Sequence, residues 1–120
     1  MSTVELTELT SAEALEQVLA ASAKRGQLIF KHSLTCPISA RAYEVMQQHV
    51  NNAASDNVDY WLILVQHARD VSNLVAERLN VEHESPQVIL VSEGRAIWNA
   101  SHFSITGTSI AEALEKNQLK

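Results

Sequence analysis

Short apolar runs alternate with stretches whose apolar residues recur at helical spacing, and this alternation restricts the fold more than any other feature of the chain. Leu28-Ile29-Phe30 is bounded by Gly26 and a polar stretch, which suits a buried strand. A longer run, Tyr60-Trp61-Leu62-Ile63-Leu64-Val65 within residues 58–65, is so continuously apolar that both of its faces must be covered. Between the two, Ile38, Ala42, Val45, Met46 and Val50 repeat at helical spacing, and residues 51–57 form a polar break. A strand, a helix and a second strand in this order require parallel pairing through a crossover.

The flanking segments extend the pattern. Thr10 and Glu13 have the spacing of a capping box, so a helix is expected to start there, with Leu15, Val18 and Leu19 on one face and Gly26 marking its end after Lys24-Arg25. Val4 and Leu6 alternate with polar residues and predict a short first strand. Asp70 is placed to cap a third helix facing inward through Val71, Leu74, Val75 and Leu79. Residues 88–91 and 96–98 read as strands joined by Ser92-Glu93-Gly94-Arg95, a turn short enough for an antiparallel hairpin. Ser109 with Glu112 repeats the capping-box spacing and opens a last helix through Ile110 and Leu114. The expected fold class is therefore α/β, a central mixed β-sheet flanked by helices on both faces in the order (β)αβαβαββα.

A length of 120 residues fits one domain spanning 1–120, and 46% hydrophobic residues with three glycines and two prolines argue against disorder. With a net charge of −5 and nine scattered Lys and Arg residues, the chain lacks the basic stripe that nucleic acid demands. Glu5, Glu8 and Glu13 replace the basic leader of a signal peptide, and no span approaches the roughly 20 apolar residues of a membrane helix. No membrane association is expected, and the cytoplasm is the expected compartment.

One cysteine excludes an intrachain disulfide and any zinc site that needs two thiolates from one chain. Cys36 is then either a small buried hydrophobe or a reactive thiol. Ser33-Leu34-Thr35-Cys36-Pro37 supplies cap-forming hydroxyls followed by a proline, the residue favoured at the first helical position. Cys36 thus stands at a helix N-terminus, where unpaired amides and the macrodipole favour a thiolate. Lys31 and His32 are near enough in sequence to add positive charge. Ser85-Pro86 precedes the strand that begins at Gln87, and a proline entering a central strand calls for a special reason, of which a cis peptide is one.

Three segments carry a resemblance. Phe30-Lys31-His32-Ser33-Leu34-Thr35-Cys36-Pro37-Ile38-Ser39, Val81-Glu82-His83-Glu84-Ser85-Pro86-Gln87 and Trp98-Asn99-Ala100-Ser101-His102 closely resemble the monothiol bacilliredoxins, the YtxJ-like bacillithiol-system proteins. The likeness runs over about residues 12–114. It implies a thioredoxin-like fold with a cis-proline loop at Pro86 opposite the active cysteine. It also implies a thiol-disulfide oxidoreductase that binds no cofactor, uses bacillithiol as cosubstrate and has S-bacillithiolated client proteins as partners. On that basis Cys36 is the expected nucleophile, supported by Thr35, Pro37 and Ser39. Lys31, His32, Ser85 and Pro86 are the expected substrate-binding residues. Ser39 stands where dithiol relatives keep a resolving cysteine, so the mixed disulfide on Cys36 must be released by another thiol, and the Ser39 hydroxyl is expected to donate to the Cys36 thiolate.

Two rivals share the fold: a thioredoxin-like binding module without turnover, and a monothiol glutaredoxin-like protein using glutathione or an iron-sulfur cluster shared between two Cys36 thiolates. His32, His49, His67, His83 and His102 lack the i, i+4 pairing of a helical metal site, so no metal is expected. His32 and His102 read as pocket or structural residues. Trp61, Trp98, Val45 and Met46 read as core, and a lysine such as Lys31 beside a strand is ordinarily solvated.

Overall fold

The computed structural model describes residues 5–119. Its elements are β1 (Thr7–Glu8), α1 (Ala12–Ala21), β2 (Gly26–His32), α2 (Pro37–Asn52), β3 (Val58–Leu64), α3 (Arg69–Leu79), β4 (Gln87–Ser92), β5 (Arg95–Ser101), a 3-10 turn (His102–Ser104) and α4 (Gly107–Lys116). The five strands form one sheet in the order β1-β3-β2-β4-β5. β1 and β2 both run parallel to β3, whereas β4 is antiparallel to both β2 and β5. The order of elements along the chain and the mixed pairing are those expected from the alternation of patterns.

Period-2 alternation along the central strands divides the core in two. Leu28, Phe30, Val88 and Leu90 meet Ala42, Met46 and Val50 of α2 and Ile110 and Leu114 of α4. Ile29, Ile89 and Val91 meet Leu15, Val18 and Leu19 of α1 and Val71, Val75 and Leu79 of α3 on the other face. Burying each such Leu, Ile or Phe side chain contributes roughly 1.5–3 kcal/mol, so β2 and β4, covered on both sides, anchor the molecule.

Several boundaries differ from the sequence reading, each for a local reason. Ser11, one residue beyond Thr10, caps α1 by accepting from the Ala14 N–H at 3.1 Å. Gly26 opens β2 instead of closing α1, and a Cβ at this position would lie 2.8 Å from the Leu119 side chain. α3 begins after Ala68 without a side-chain cap, leaving Asp70 in its first turn. α4 is capped by Thr106, whose hydroxyl accepts from Ser109 N–H at 3.0 Å while Thr106 N–H donates to Ser109 Oγ at 3.1 Å. Serine plays the part assigned to Glu112, because its hydroxyl reaches back across one turn. The first strand falls at Thr7–Glu8, pairing with Trp61 and Leu62; Val4 lies outside the described residues, and Leu6 packs on the α2–α4 core.

This topology sets up a site. β2 delivers the chain to α2 at its C-terminal end, and antiparallel β4 enters at the same end, with Gln87 opposite Lys31. The turn into α2 and the segment before β4 are therefore neighbours by register, although about fifty residues separate them in sequence.

Candidate active site

Cys36 is the N-cap residue of α2, with extended backbone (φ −101°, ψ 123°) and Pro37 at the first helical position. Its carbonyl accepts from Ala40 N–H at 3.1 Å, closing the first helical turn. The side chain makes no capping bond, and Cys36 is half-buried at the positive end of a sixteen-residue helix. Pro37 has no N–H to leave unpaired there.

The turn that presents this thiol is held by neutral groups. Ser39 is fully buried and its hydroxyl accepts from Ser33 N–H at 2.9 Å. The expected bond from Ser39 to sulfur is thus replaced by a brace on the preceding loop, because the side chain turns inward beneath the turn. Gln66, just beyond β3, accepts from Leu34 N–H at 3.0 Å and donates to Ser33 Oγ at 2.8 Å and Thr35 Oγ1 at 3.3 Å. Sequence reasoning missed Gln66, since a glutamine after a strand has no spacing or motif to distinguish it. Thr35 and Leu34 are exposed beside the thiol.

His32 ends β2 on the α2 side of the sheet, buried and stacked on Tyr43 with ring centroids 4.9 Å apart. Burial pushes its imidazole below the usual range, while a smaller interaction of the imidazole with the Ser39 backbone acts in the opposite direction. The Ser85–Pro86 peptide is cis, and the Pro86 carbonyl accepts from His102 N–H at 3.1 Å, tying the 3-10 turn to this end of the sheet. Two buried polar atoms here, His32 Nδ1 and Ser85 Oγ, have no hydrogen-bond partner among the described residues. Phe103, exposed on the 3-10 turn, lies under the Arg41 guanidinium at 5.9 Å.

Lys31 departs from expectation. It is fully buried, and its Nζ donates to the Ser72 carbonyl at 2.9 Å and lies 3.2 Å from His83 Nδ1. Strand alternation turns it to the α3 face, away from the α2 face that carries His32. It is thus not the solvated lysine that its place beside a strand suggests, and its ammonium is engaged on the face opposite His32. Burial lowers its pKa to about 8.

The remaining histidines are dispersed. His49 is buried with its Nε2 2.9 Å from the Tyr60 hydroxyl, and His67 is exposed. His102 Nε2 lies 3.7 Å from Glu84 Oε2. Among the described residues, no group of three or more His, Cys, Asp and Glu stands together as a metal site. No helix among them is long and apolar enough to cross a membrane.

A mixed sheet of this order, with its lone thiol at the start of the helix after β2, is the architecture of the thioredoxin-fold thiol-disulfide oxidoreductases, and the chain is a member of that class. It is similar to a solved structure assigned as an oxidoreductase with a thioredoxin fold, at 35% identity over 90% of this chain and 92% of that one, with a TM-score of 0.78. The thioredoxin of Trypanosoma brucei brucei superposes with a TM-score of 0.77 over 99% of this chain and 96% of its own, at 9% identity. The Malassezia sympodialis thioredoxin Mala s 13 does so at 0.75 over 97% and 93%, at 14% identity. These two likenesses speak to the fold alone. Residues 7–110 match the family described as monothiol bacilliredoxin BrxC. The chain belongs to the monothiol bacilliredoxin family.

Proposed function

We propose that the protein removes bacillithiol from mixed disulfides on client proteins, acting as a single-domain unit over residues 1–120 in the cytoplasm. The Cys36 thiolate attacks the bacillithiol sulfur of the client mixed disulfide. A new Cys36–bacillithiol disulfide forms as the old sulfur–sulfur bond breaks, and the client sulfur leaves as a thiolate that takes a proton from solvent. A second low-molecular-weight thiol then attacks the bacillithiol sulfur held on Cys36. This regenerates the Cys36 thiolate and yields a small-molecule disulfide of the bacillithiol and the attacking thiol, so each client reduction consumes one free thiol.

The observation that carries this reading is the fate of position 39. The chain has no second cysteine, and the Ser39 hydroxyl is committed to Ser33 N–H, so resolution must come from another molecule. Thr35 and Pro37 flank sulfur and shape its approach. His32 Nδ1 and Ser85 Oγ, buried and without partners among the described residues, are available to the small thiol or the extended client beside Pro86. Lys31 is left out of this set, its ammonium being engaged by the Ser72 carbonyl and His83.

Incubating the protein with one client loaded either with bacillithiol or with glutathione, and following release by mass spectrometry, tests the assignment. Faster release from the bacillithiol form is expected. Equal or faster release from the glutathione form contradicts it and favours a glutaredoxin-like activity.

A further inference from the structure

Lys31 and Gln87 face each other across the β2–β4 pair, and both are buried. Directly paired residues of antiparallel strands project from the same face, so the two polar side chains lie together at the end of an otherwise apolar stretch formed by Leu28, Ile29, Phe30, Val88, Ile89 and Leu90. An ammonium in such a place is costly without an anion, and no carboxylate pairs with Lys31 among the described residues. A methionine of similar reach would fill the space without that cost.

What the two side chains hold in common is the segment in front of Ser85. Gln87 Nε2 donates to the Glu82 carbonyl at 3.0 Å, and Gln87 Oε1 accepts from Glu84 N–H at 3.4 Å. Lys31 Nζ reaches His83 Nδ1 at 3.2 Å and is itself anchored to α3 through the Ser72 carbonyl at 2.9 Å. Three consecutive residues are thus tied to the central strands just before the chain turns into Ser85–Pro86. We propose that Lys31 and Gln87 are a positioning pair that sets the Ser85–Pro86 segment against the Cys36 thiol, and that protonation of His83 unlatches it. The proposal rests on the reading that this segment receives the substrate.

The chemistry of the latch is directional. For Lys31 to donate, His83 Nδ1 must be the bare nitrogen, with the proton on Nε2. An imidazolium has no acceptor left, and it would set two cations 3.2 Å apart. Ser72 Oγ, at 3.3 Å from the same nitrogen, is neutral and offers no charge to offset them. Burial holds His83 below its usual range, Lys31 and Arg69 push in the same direction, and Glu84 opposes them. Acidification through and below the ordinary histidine range therefore forces the contact apart.

Amide exchange and histidine titration by NMR on the full chain, beside steady-state kinetics with a bacillithiolated client, test the latch. Lys31→Met is expected to speed exchange at Glu82, His83 and Glu84 at least tenfold and to raise the titration midpoint of His83. It should raise KM several-fold while kcat and the rate of Cys36 alkylation by iodoacetamide stay within twofold. In the unaltered protein KM should climb as the pH falls below the ordinary histidine value of 6.5, and in Lys31→Met it should stay flat. Unchanged exchange and an unmoved His83 midpoint overturn the proposal, as does a KM equal to that of the unaltered protein once exchange has quickened. Should Lys31→Met fail to fold, the exposed variant His83→Leu takes its place, with the same expected exchange and KM. A protein inactive on bacillithiolated clients contradicts the functional reading alone, and exchange and titration still decide the latch.

Discussion

The two segments that converge at the C-terminal end of β2 are fastened by different chemistry. The turn bearing Cys36 hangs on uncharged groups, the Ser39 hydroxyl below it and the Gln66 amide beside it, at bond lengths of 2.8–3.3 Å. The segment leading to Pro86 hangs on the buried Lys31 ammonium against the exposed His83 imidazole, together with the Gln87 amide. Neutral hydrogen bonds at the first keep the thiol in place over a broad pH range. The second carries a titratable contact, so under the proposed latch it answers to pH where the first does not.

The sharpest division between the two concerns chemistry itself. Only the Cys36 side carries a sulfur, so Cys36→Ser should reduce client release to the uncatalysed background in a mass-spectrometric assay, whereas no variant of the 82–86 segment should do so. Residual catalysed release would break the comparison at its root.

Next in size is the electrostatic cost carried by the proline side. The folded pKa of Lys31, about 8, lies below the unfolded value of 10.5. The unfolded chain therefore binds more protons between those values, so stability rises with pH across that window and the penalty is complete below it. The shift corresponds to about 3 kcal/mol. Urea denaturation should show Lys31→Met more stable than the parent near pH 7, with the difference shrinking toward pH 10.5. A difference that stays constant across the window would mean that the ammonium is not what the variant removes.

The cysteine side should respond more modestly. Ser39→Ala removes the acceptor of Ser33 N–H and should cost about 1–2 kcal/mol in urea denaturation, the usual cost of stranding one donor. Gln66→Ala removes bonds that are largely solvent-exposed, so a loss under about 1 kcal/mol is expected, accompanied by faster exchange at Leu34 N–H. Neither loss should change with pH between 8 and 10.5; a pH-dependent loss would erase the distinction between the two segments.

The sequence carried the fold because β2 to β5 are each a short apolar run or follow a clear turn, and every α-helix has its own apolar periodicity, whereas the polar, exposed pair Thr7–Glu8 of β1 has no such signal. Glu93 and Gly94, with φ of 53° and 74°, form the turn that Ser92-Glu93-Gly94-Arg95 announced. Helix starts slipped by one to three residues, because neighbouring hydroxyls such as Thr10 and Ser11, or Thr106 and Ser109, compete for the same amides. The location of Cys36 was legible since a proline fixes the first helical position. The direction of Lys31 was not: one residue along a strand decides the face, and the consecutive pair Lys31 and His32 divides between α3 and α2. Gln66 and Gln87 act only through contacts made across long sequence separations, which no local pattern encodes.

The central claim is that Cys36 takes the small thiol and frees the client. Mixing the reduced protein with one equivalent of a bacillithiolated client and reading intact masses before any recycling thiol is added tests it directly. A single bacillithiol adduct on the peptide containing Cys36, matched by an equal amount of free client, is the predicted result. A covalent complex with the client itself, or client freed while Cys36 stays unmodified, would contradict it.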